Sequence, residues 1–254
     1  MKFSIITCTW NSAEWLPESI ASIDRQEGVE IERVFVDGGS DDGTLDLIAA
    51  VPGEVKVLND VRGGISNAMN QGVQAATGDI IAHLHSDDYY VDGTVLKQVQ
   101  AAFEARPEAK WLYGRCMSIL EGKMVENDFK TKPFSWANLI RGNIIPHPAT
   151  FIRRETFNEF SGFSSELKYV MDYDLWLRLA RKFEPIQLDA YLAAFRFHEG
   201  SLSTTNLWAC HAECLKVRLA YAGSNPIERL EHRARHSYRS LRLASDPLRM
   251  RLGT

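Results

Sequence analysis

The chain has 254 residues, 45% of them apolar and 24% charged, with a formal net charge of −4. That composition supports a sizeable core in one large α/β domain, or in one domain with an appendage, and excludes wholesale disorder. The mild acidity makes no electrostatic case for nucleic acid as a partner. No run approaches the roughly 18–20 apolar residues of a membrane span.

The N-terminus, from Met1 to Ile6, carries a single lysine and a short apolar run that breaks at Thr7. It reads as a first strand rather than a signal peptide. Cys8, Cys116, Cys210 and Cys214 have no CxxC spacing, so neither a disulfide framework nor a structural zinc site is expected. The set fits a reducing cytoplasm. Cys210 and Cys214, with His211 between them, read as semi-buried thiols sharing a helix face.

Phe3–Thr7 is predicted as a strand from its β-branched and aromatic content. Asn11 and Glu14 have helix-start spacing, while Pro17 suits a first turn and moves the expected start towards Leu16. Arg33–Val36 is a second strand. It is followed by Asp37, two glycines, further acidic residues and Thr44 before a helix over Leu45–Ala50, the pattern of a strand–loop–helix unit. Val55–Leu58 is a third strand. After Arg62, Gly63 and Gly64 comes a helix with small or apolar residues at Ile65, Ala68, Met69, Gly72, Val73 and Ala76. The run from Ile80 reads as a buried parallel strand and ends in Asp87 and Asp88. A carboxylate pair there either starts a turn or meets a ligand, because ligands in open α/β sheets bind outside the carboxyl ends of the strands. A helix near Thr94–Ala105 completes a β-α alternation that implies a parallel sheet with helices on both faces.

Beyond Pro107 the rhythm changes. Strands are predicted at Trp111–Leu120, at Met124–Asn127 after a turn at Glu121-Gly122-Lys123, at Ala149–Arg153 and at Gln187–Phe197, where His198 follows. Helices are predicted at Trp136–Ile140, at Glu155–Phe160 and from Met171 through Phe183. Leu207–Ala222 reads as an amphipathic helix and Ile227–Arg251 as a helical, arginine-rich tail. Such a tail either lies on an anionic membrane surface, packs on its own domain or joins a second subunit.

These segments together resemble family 2 glycosyltransferases, inverting nucleotide-sugar enzymes of GT-A fold. Ser4–Asn11 resembles the opening strand of that family, and Val36–Thr44 its Asp-rich nucleotide signature. Gly64–Gly72 resembles its donor-side Gly-Ile…Ala-Met-Asn segment, His85–Asp88 its DXD-type metal motif, and Met171–Leu179 the helix that bears the general base. The resemblance runs from about Lys2 to Ser203. It implies an α/β fold with a mixed, mostly parallel, Rossmann-like sheet flanked by helices over residues 1–204. Residues 205–254 then form a C-terminal helical, basic extension.

The resemblance also implies roles. Asp172 would be the general base that deprotonates an acceptor hydroxyl. Thr9, Asn11, Asp37, Arg62, Gly64, Asn70 and Asp87 would bind the nucleotide sugar. Asp88, Asp87 and His198 would hold Mn²⁺ or Mg²⁺, hard cations that take oxygen ligands and keep several waters. Of the aspartate pair one would meet the metal and one the ribose. His147 would contact the acceptor or the diphosphate. The implied donor is a nucleotide diphosphate sugar, a UDP-sugar above all. The implied acceptor is a glycan or a lipid-linked hydroxyl, in a cytoplasmic enzyme of polysaccharide biosynthesis, with peripheral contact at the inner membrane face or self-association through the basic tail. The chain departs from the family pattern at His85, Met171 and Gly38, where an acidic residue is usual. Two other readings share parts of the pattern: a sugar nucleotidyltransferase, whose Arg/Lys-bearing phosphate loop is absent here, and a catalytically silent nucleotide-sugar-binding or scaffold protein.

Overall fold

The computed structural model describes residues 1–120, 123–125, 133–198 and 205–245. Strands β1 (Lys2–Thr9), β2 (Glu30–Asp37), β3 (Val55–Leu58) and β4 (Ile80–His83) alternate with helices α1 (Leu16–Asp24), α2 (Thr44–Ala49) and α3 (Ile65–Ala75). The four strands pair in parallel in the order β3-β2-β1-β4. Alternate residues of β1 feed two different cores, Phe3 and Ile5 on one face and Ile6 and Cys8 on the other. This is why the strand reads as a continuous apolar run rather than an alternating one.

The rest of the body comprises β5 (Tyr89–Tyr90), α4 (Val95–Ala105), β6 (Trp111–Leu120), β7 (Lys123–Val125), α5 (Trp136–Arg141), β8 (Thr150–Arg153), α6 (Arg154–Glu159), α7 (Met171–Ala180) and β9 (Ile186–Arg196). The sheet continues from β4 as β8-β6-β9-β5. Strand β8 is antiparallel to both β4 and β6, and β9 is parallel to β6 and antiparallel to β5. The result is the mixed, mostly parallel sheet that the sequence implied. Strand β5 left no sequence signal because two residues are too few for a pattern. It nevertheless registers Tyr89 against Ala194 and so brings the end of β9 to the Asp87–Asp88 turn. Two helices close the chain, α8 (Leu207–Tyr221) and α9 (Pro226–Ser245).

Two local readings are corrected and one is borne out. Helix α1 begins at Leu16 with Pro17 in its first turn, the start that Pro17 implied, and not at Asn11. Asn11 instead takes a left-handed conformation (φ +48°), and its side-chain oxygen accepts the amide of Asp41 at 3.0 Å. Helix α8 is not amphipathic in the ordinary sense, because its inward residues include His211 and a fully buried Arg218. These polar groups face main chain that needs partners: Arg218 donates to the carbonyls of Cys214 and Arg141. Strand β7 begins one residue earlier than expected; the Glu121-Gly122 turn, residues 126–127 and residues 246–251 of the tail lie outside the described residues.

Helix α3 lies unusually close to the sheet. A Cβ on Gly72 would stand 2.5 Å from Cγ2 of Ile6 and 3.0 Å from Cγ2 of Val36. At the opposite ends of these strands Glu32, with no exposed surface, gathers Ser4 Oγ at 2.5 Å, the Thr77 amide at 2.7 Å, Thr77 Oγ1 at 2.9 Å and Lys56 Nζ at 2.7 Å. Burial pushes this carboxyl up, but Lys56, Ser4 and Thr77 outweigh it and hold it at about 2.

Gly72→Ala is expected to destabilise the protein by a net of about 1–2 kcal/mol, since overpacking against Ile6 exceeds the gain in helix preference. A lowered urea midpoint at unchanged slope reads this directly. Because folding lowers the Glu32 pKa from 4.5 to about 2, its contribution is complete above the unfolded value and disappears as pH falls through about 2. Glu32→Gln is therefore expected to be less stable than the wild-type chain at neutral pH, with the difference shrinking steadily in urea titrations taken from about pH 5 down to about pH 2.

Candidate active site

The carboxyl ends of β1 and β2 form the first part of the site. Asp37, the last residue of β2, has no exposed surface. Its Oδ1 accepts the amides of Gly39 and Ser40, both at 2.8 Å, and its Oδ2 accepts Thr9 Oγ1 at 2.7 Å and Ser40 Oγ at 2.6 Å. Burial would raise this carboxyl, but the Ser40, Thr9 and Gly39 hydrogen bonds more than compensate and keep it below the ordinary aspartate value. Four donors occupy both oxygens, so Asp37 acts as the tie that shapes the loop rather than as a surface group. Asn11 joins the same tie, its amide donating to Ser40 Oγ at 2.9 Å. Gly39 has φ +91°, and a side chain there would meet Asp60 and Arg62. Arg62 is 69% exposed, paired with Asp60 at 2.5 Å, and stands directly over the Asp37–Ser40 loop. Gly64 (φ +86°, ψ 173°) turns the chain into α3.

Asn70 of α3 binds main chain. Its amide nitrogen donates to the Phe163 carbonyl at 2.8 Å and its oxygen accepts the Phe163 amide at 2.9 Å. Both ends of the side chain are spent on the segment that leads to α7.

The second part lies beyond β4. His198 Nε2 is 2.9 Å from Asp87 Oδ2, and its ring packs 5.7 Å from Trp15. Burial would raise Asp87, but His198 and then His85 hold it below the usual range. Asp88 is 2% exposed and turns inward, its Oδ1 accepting the Arg196 amide at 3.3 Å. Burial and the adjacent Asp87 push Asp88 well above the usual range. The two carboxylates therefore differ in kind, with Asp87 ionised and presented and Asp88 an internal anchor.

Among the described residues no group of three His, Cys, Asp or Glu side chains is arranged to hold a metal ion. Asp87 and His198 are the residues that would hold a divalent cation here, a carboxylate oxygen and an imidazole nitrogen brought together where β4 and β9 end.

The third part is the start of α7. Asp172 lies in its first turn, accepts the Asn143 side-chain amide at 3.0 Å through Oδ2, and takes the Tyr173 amide at 2.7 Å through Oδ1. Asn143 also accepts the Ile145 amide at 3.1 Å, which fixes the loop carrying His147. The His147 ring stacks on His85, centroids 5.3 Å apart and planes 10° from parallel, and packs against Phe163 and Trp176. His83 lies beneath, held down to about 3 by burial and by His85. Asp172 thus holds Asn143, Asn143 fixes the loop that carries His147, and His147 stacks on His85, which lies two residues before Asp87 and its partner His198.

The family model for Glycosyl transferase family 2 matches residues 4–157. The chain belongs to glycosyl transferase family 2. An uncharacterized glycosyltransferase of Mycobacterium tuberculosis is 30% identical over 196 residues, 76% of this chain and 74% of the relative. A PGL/p-HBAD biosynthesis glycosyltransferase of Mycobacterium bovis is 33% identical over 181 residues, 69% of this chain and 68% of the relative. Among solved structures, Staphylococcus aureus TarS in complex with UDP-GlcNAc superposes with a TM-score of 0.72 at 22% identity, covering 91% of this chain and 69% of that one. The mannosyltransferase PcManGT of Pyrobaculum calidifontis, in complex with GDP-Man and Mn²⁺, superposes with a TM-score of 0.64 at 17% identity, covering 96% of this chain and 74% of that one. These likenesses confirm the GT-A fold, and the curated relatives confirm that the chain is a glycosyltransferase.

In this family 2 chain several site residues escaped the sequence reading. Arg196 reaches back to the Asp87 carbonyl at 3.3 Å, pairs with Glu18 and lies over the Trp15 ring at 4.4 Å. Its spacing of two from His198 was the available signal, since strand residues two apart share a face. Trp10 is 68% exposed beside Gly38, a large apolar surface at the mouth of the Asp37 loop. Glu213 of α8 had no signal at all. Its carboxylate accepts the amides of Lys168, Tyr169 and Val170 at 2.9, 2.7 and 3.0 Å, directly before the first turn of α7. Glu213→Ala is expected to lose about 1–3 kcal/mol of stability, because three main-chain donors lose a charged acceptor. Thermal and urea unfolding check the value, and a Glu213→Gln variant, which keeps one acceptor oxygen, should recover part of it.

Proposed function

We propose that this chain is an inverting glycosyltransferase that moves a sugar from a nucleotide diphosphate sugar, a UDP-sugar in the first instance, to a hydroxyl of a glycan or lipid-linked acceptor. The observation that carries the reading is the Asp87–His198 pair beyond the end of β4, together with Asp172, which is tied through Asn143 to the loop whose His147 stacks on His85. It gives a base and a diphosphate-facing pair a common frame. The solved neighbours hold UDP-GlcNAc and GDP-Man with Mn²⁺, which supports a nucleotide-sugar donor and a divalent cation.

In this reading the Asp37-tied loop and Thr9 form the floor of the nucleobase pocket, with Asn11 on its rim and the exposed Trp10 ring offering an apolar face to the base. Arg62 and the main chain at Gly63 and Gly64 lie towards the phosphates, where positive charge and N–H groups favour an anion. Asp87 and His198 would hold Mn²⁺ or Mg²⁺, which when bound supplies Lewis-acid stabilisation of the departing diphosphate. Asp88 keeps the turn in place from within, and Arg196 fixes it from β9. Asp172 takes the proton from the acceptor hydroxyl as that oxygen attacks the anomeric carbon. Asn143 and the Tyr173 amide set the direction of its carboxylate. The diphosphate leaves from the opposite face of the sugar, so the configuration inverts. Asn70 and His147 serve this reading by fixing the two segments that bracket the acceptor side.

The test is turnover by the purified chain with Mn²⁺, a panel of nucleotide sugars and candidate acceptors. Asp172→Asn is expected to lower kcat by about 10²–10⁴-fold, with nucleoside diphosphate affinity within about twofold of wild type, since Asn keeps the shape. Chelation should abolish turnover by wild type, and NMR of the product should show the inverted anomer. Undiminished turnover by Asp172→Asn, or a retained anomer, overturns the mechanism. Donor binding without turnover across all acceptors favours a silent binding protein instead.

A further inference from the structure

Helix α9 packs through one side and leaves the other bare. His232 and Leu243 point inwards, 5% and 2% exposed. On the opposite side Ile227, Leu230, Tyr238 and Leu241 are 77%, 69%, 63% and 72% exposed, with Ala234 among them also exposed. At 100° per residue these five positions fall in a sector about 80° wide. That is the geometry of an apolar stripe rather than of scattered surface residues. The helix carries five arginines, Arg229, Arg233, Arg235, Arg239 and Arg242, against Glu228 and Glu231. By the same helical count Arg233 borders the stripe on one side and Arg235 and Arg242 on the other. Glu231 is already engaged by Arg235 at 2.9 Å and by Arg141 at 3.6 Å.

We propose that the outward stripe of α9 docks on an anionic lipid bilayer, with Ile227, Leu230, Ala234, Tyr238 and Leu241 in the acyl boundary and the flanking arginines against the headgroups. Charge selects this occupant. Two copies of the helix packed stripe to stripe would set one arginine border against another, whereas an anionic headgroup layer complements both borders. Among the described residues no helix is long and apolar enough to cross a membrane, so the contact is one of lying on the surface. The chain as a whole is acidic, which confines the attraction to this face. The inference is independent of the donor and acceptor chemistry above.

The experiment is co-sedimentation of the full chain with vesicles of equal parts phosphatidylglycerol and phosphatidylcholine, and with vesicles of phosphatidylcholine alone. Binding to the mixed vesicles is expected to exceed binding to the neutral ones by about tenfold or more and to fall with added salt. The double variant Leu230→Ser with Leu241→Ser should lower binding by about tenfold or more. Arg233→Gln should lower it about fivefold on the anionic vesicles only. Ala234→Leu, which widens the stripe, should raise it by about threefold or more. All substituted positions are exposed, and far-UV circular dichroism together with nucleoside diphosphate binding verifies that each variant folds. Absence of binding to the anionic vesicles overturns the proposal, as does equal binding to both compositions, or binding indifferent to the leucine substitutions. A dimer in sedimentation velocity that the double variant dissociates, without vesicle binding, overturns it in favour of a second copy of the chain.

Discussion

The hydrogen bond between Asp87 and His198 joins residues 111 positions apart, and the site is assembled around it. It exists because β9 returns antiparallel to the two-residue strand β5, which sets Ala194 beside Tyr89. That short ladder carries Arg196 and His198 to the Asp87–Asp88 turn. Arg196 then binds the turn from both sides, its amide to Asp88 and its guanidinium to the Asp87 carbonyl and to Glu18 of α1. One strand pairing thus ties the Asp87–Asp88 turn to the end of β9.

Buried and half-buried polar side chains do the positioning elsewhere. Asp37 gathers four donors from β1 and from its own loop, and Glu32 does the same at the other end of the strands. Asn70 grips Phe163, and Glu213 grips the three amides before α7. Buried polar groups must be hydrogen-bonded, so each of these contacts allows little choice of arrangement. A carboxylate with two satisfied oxygens makes the surrounding main chain rigid. The groups left outward, Asp87, Asp172, Arg62 and Trp10, are held on that rigid ground. Helix α8 belongs to this scheme. Its Glu213 holds the amides just before α7 and its Tyr221 reaches Asp174 in the first turn, so α8 supports the region around Asp172 as well as extending the chain.

Most of the fold was legible in the chain. The apolar runs at Ile80 and Phe3, the small-residue face of α3 with Gly72, and the Asp-Gly-Gly loop after β2 each carry a local signature, because periodicity and turn chemistry are written in neighbouring residues. The candidate residues Asp37, Asp87 and Asp172 stood out for the same reason, one ending a strand, one in the turn beyond a strand and one in the first turn of a helix. The order of the later strands was not legible. An antiparallel β8 between β4 and β6, and a β5 of two residues, depend on pairings between segments far apart in sequence.

What the sequence by itself determined was most of the elements, the family and a short set of candidate residues able to carry chemistry. Only the tertiary structure decided how those residues divide the work. Asp87 and Asp88 are chemically identical neighbours in sequence, yet one faces His198 and the other is buried beneath Arg196. Asp37 and Asn70 are themselves fastened, one to its own loop and to Thr9, the other to Phe163, while Glu213, silent in the sequence, holds the ground before Asp172. The physical reason is that a side chain's role follows from which donors and charges surround it, and those are supplied by strands and helices that only folding brings near.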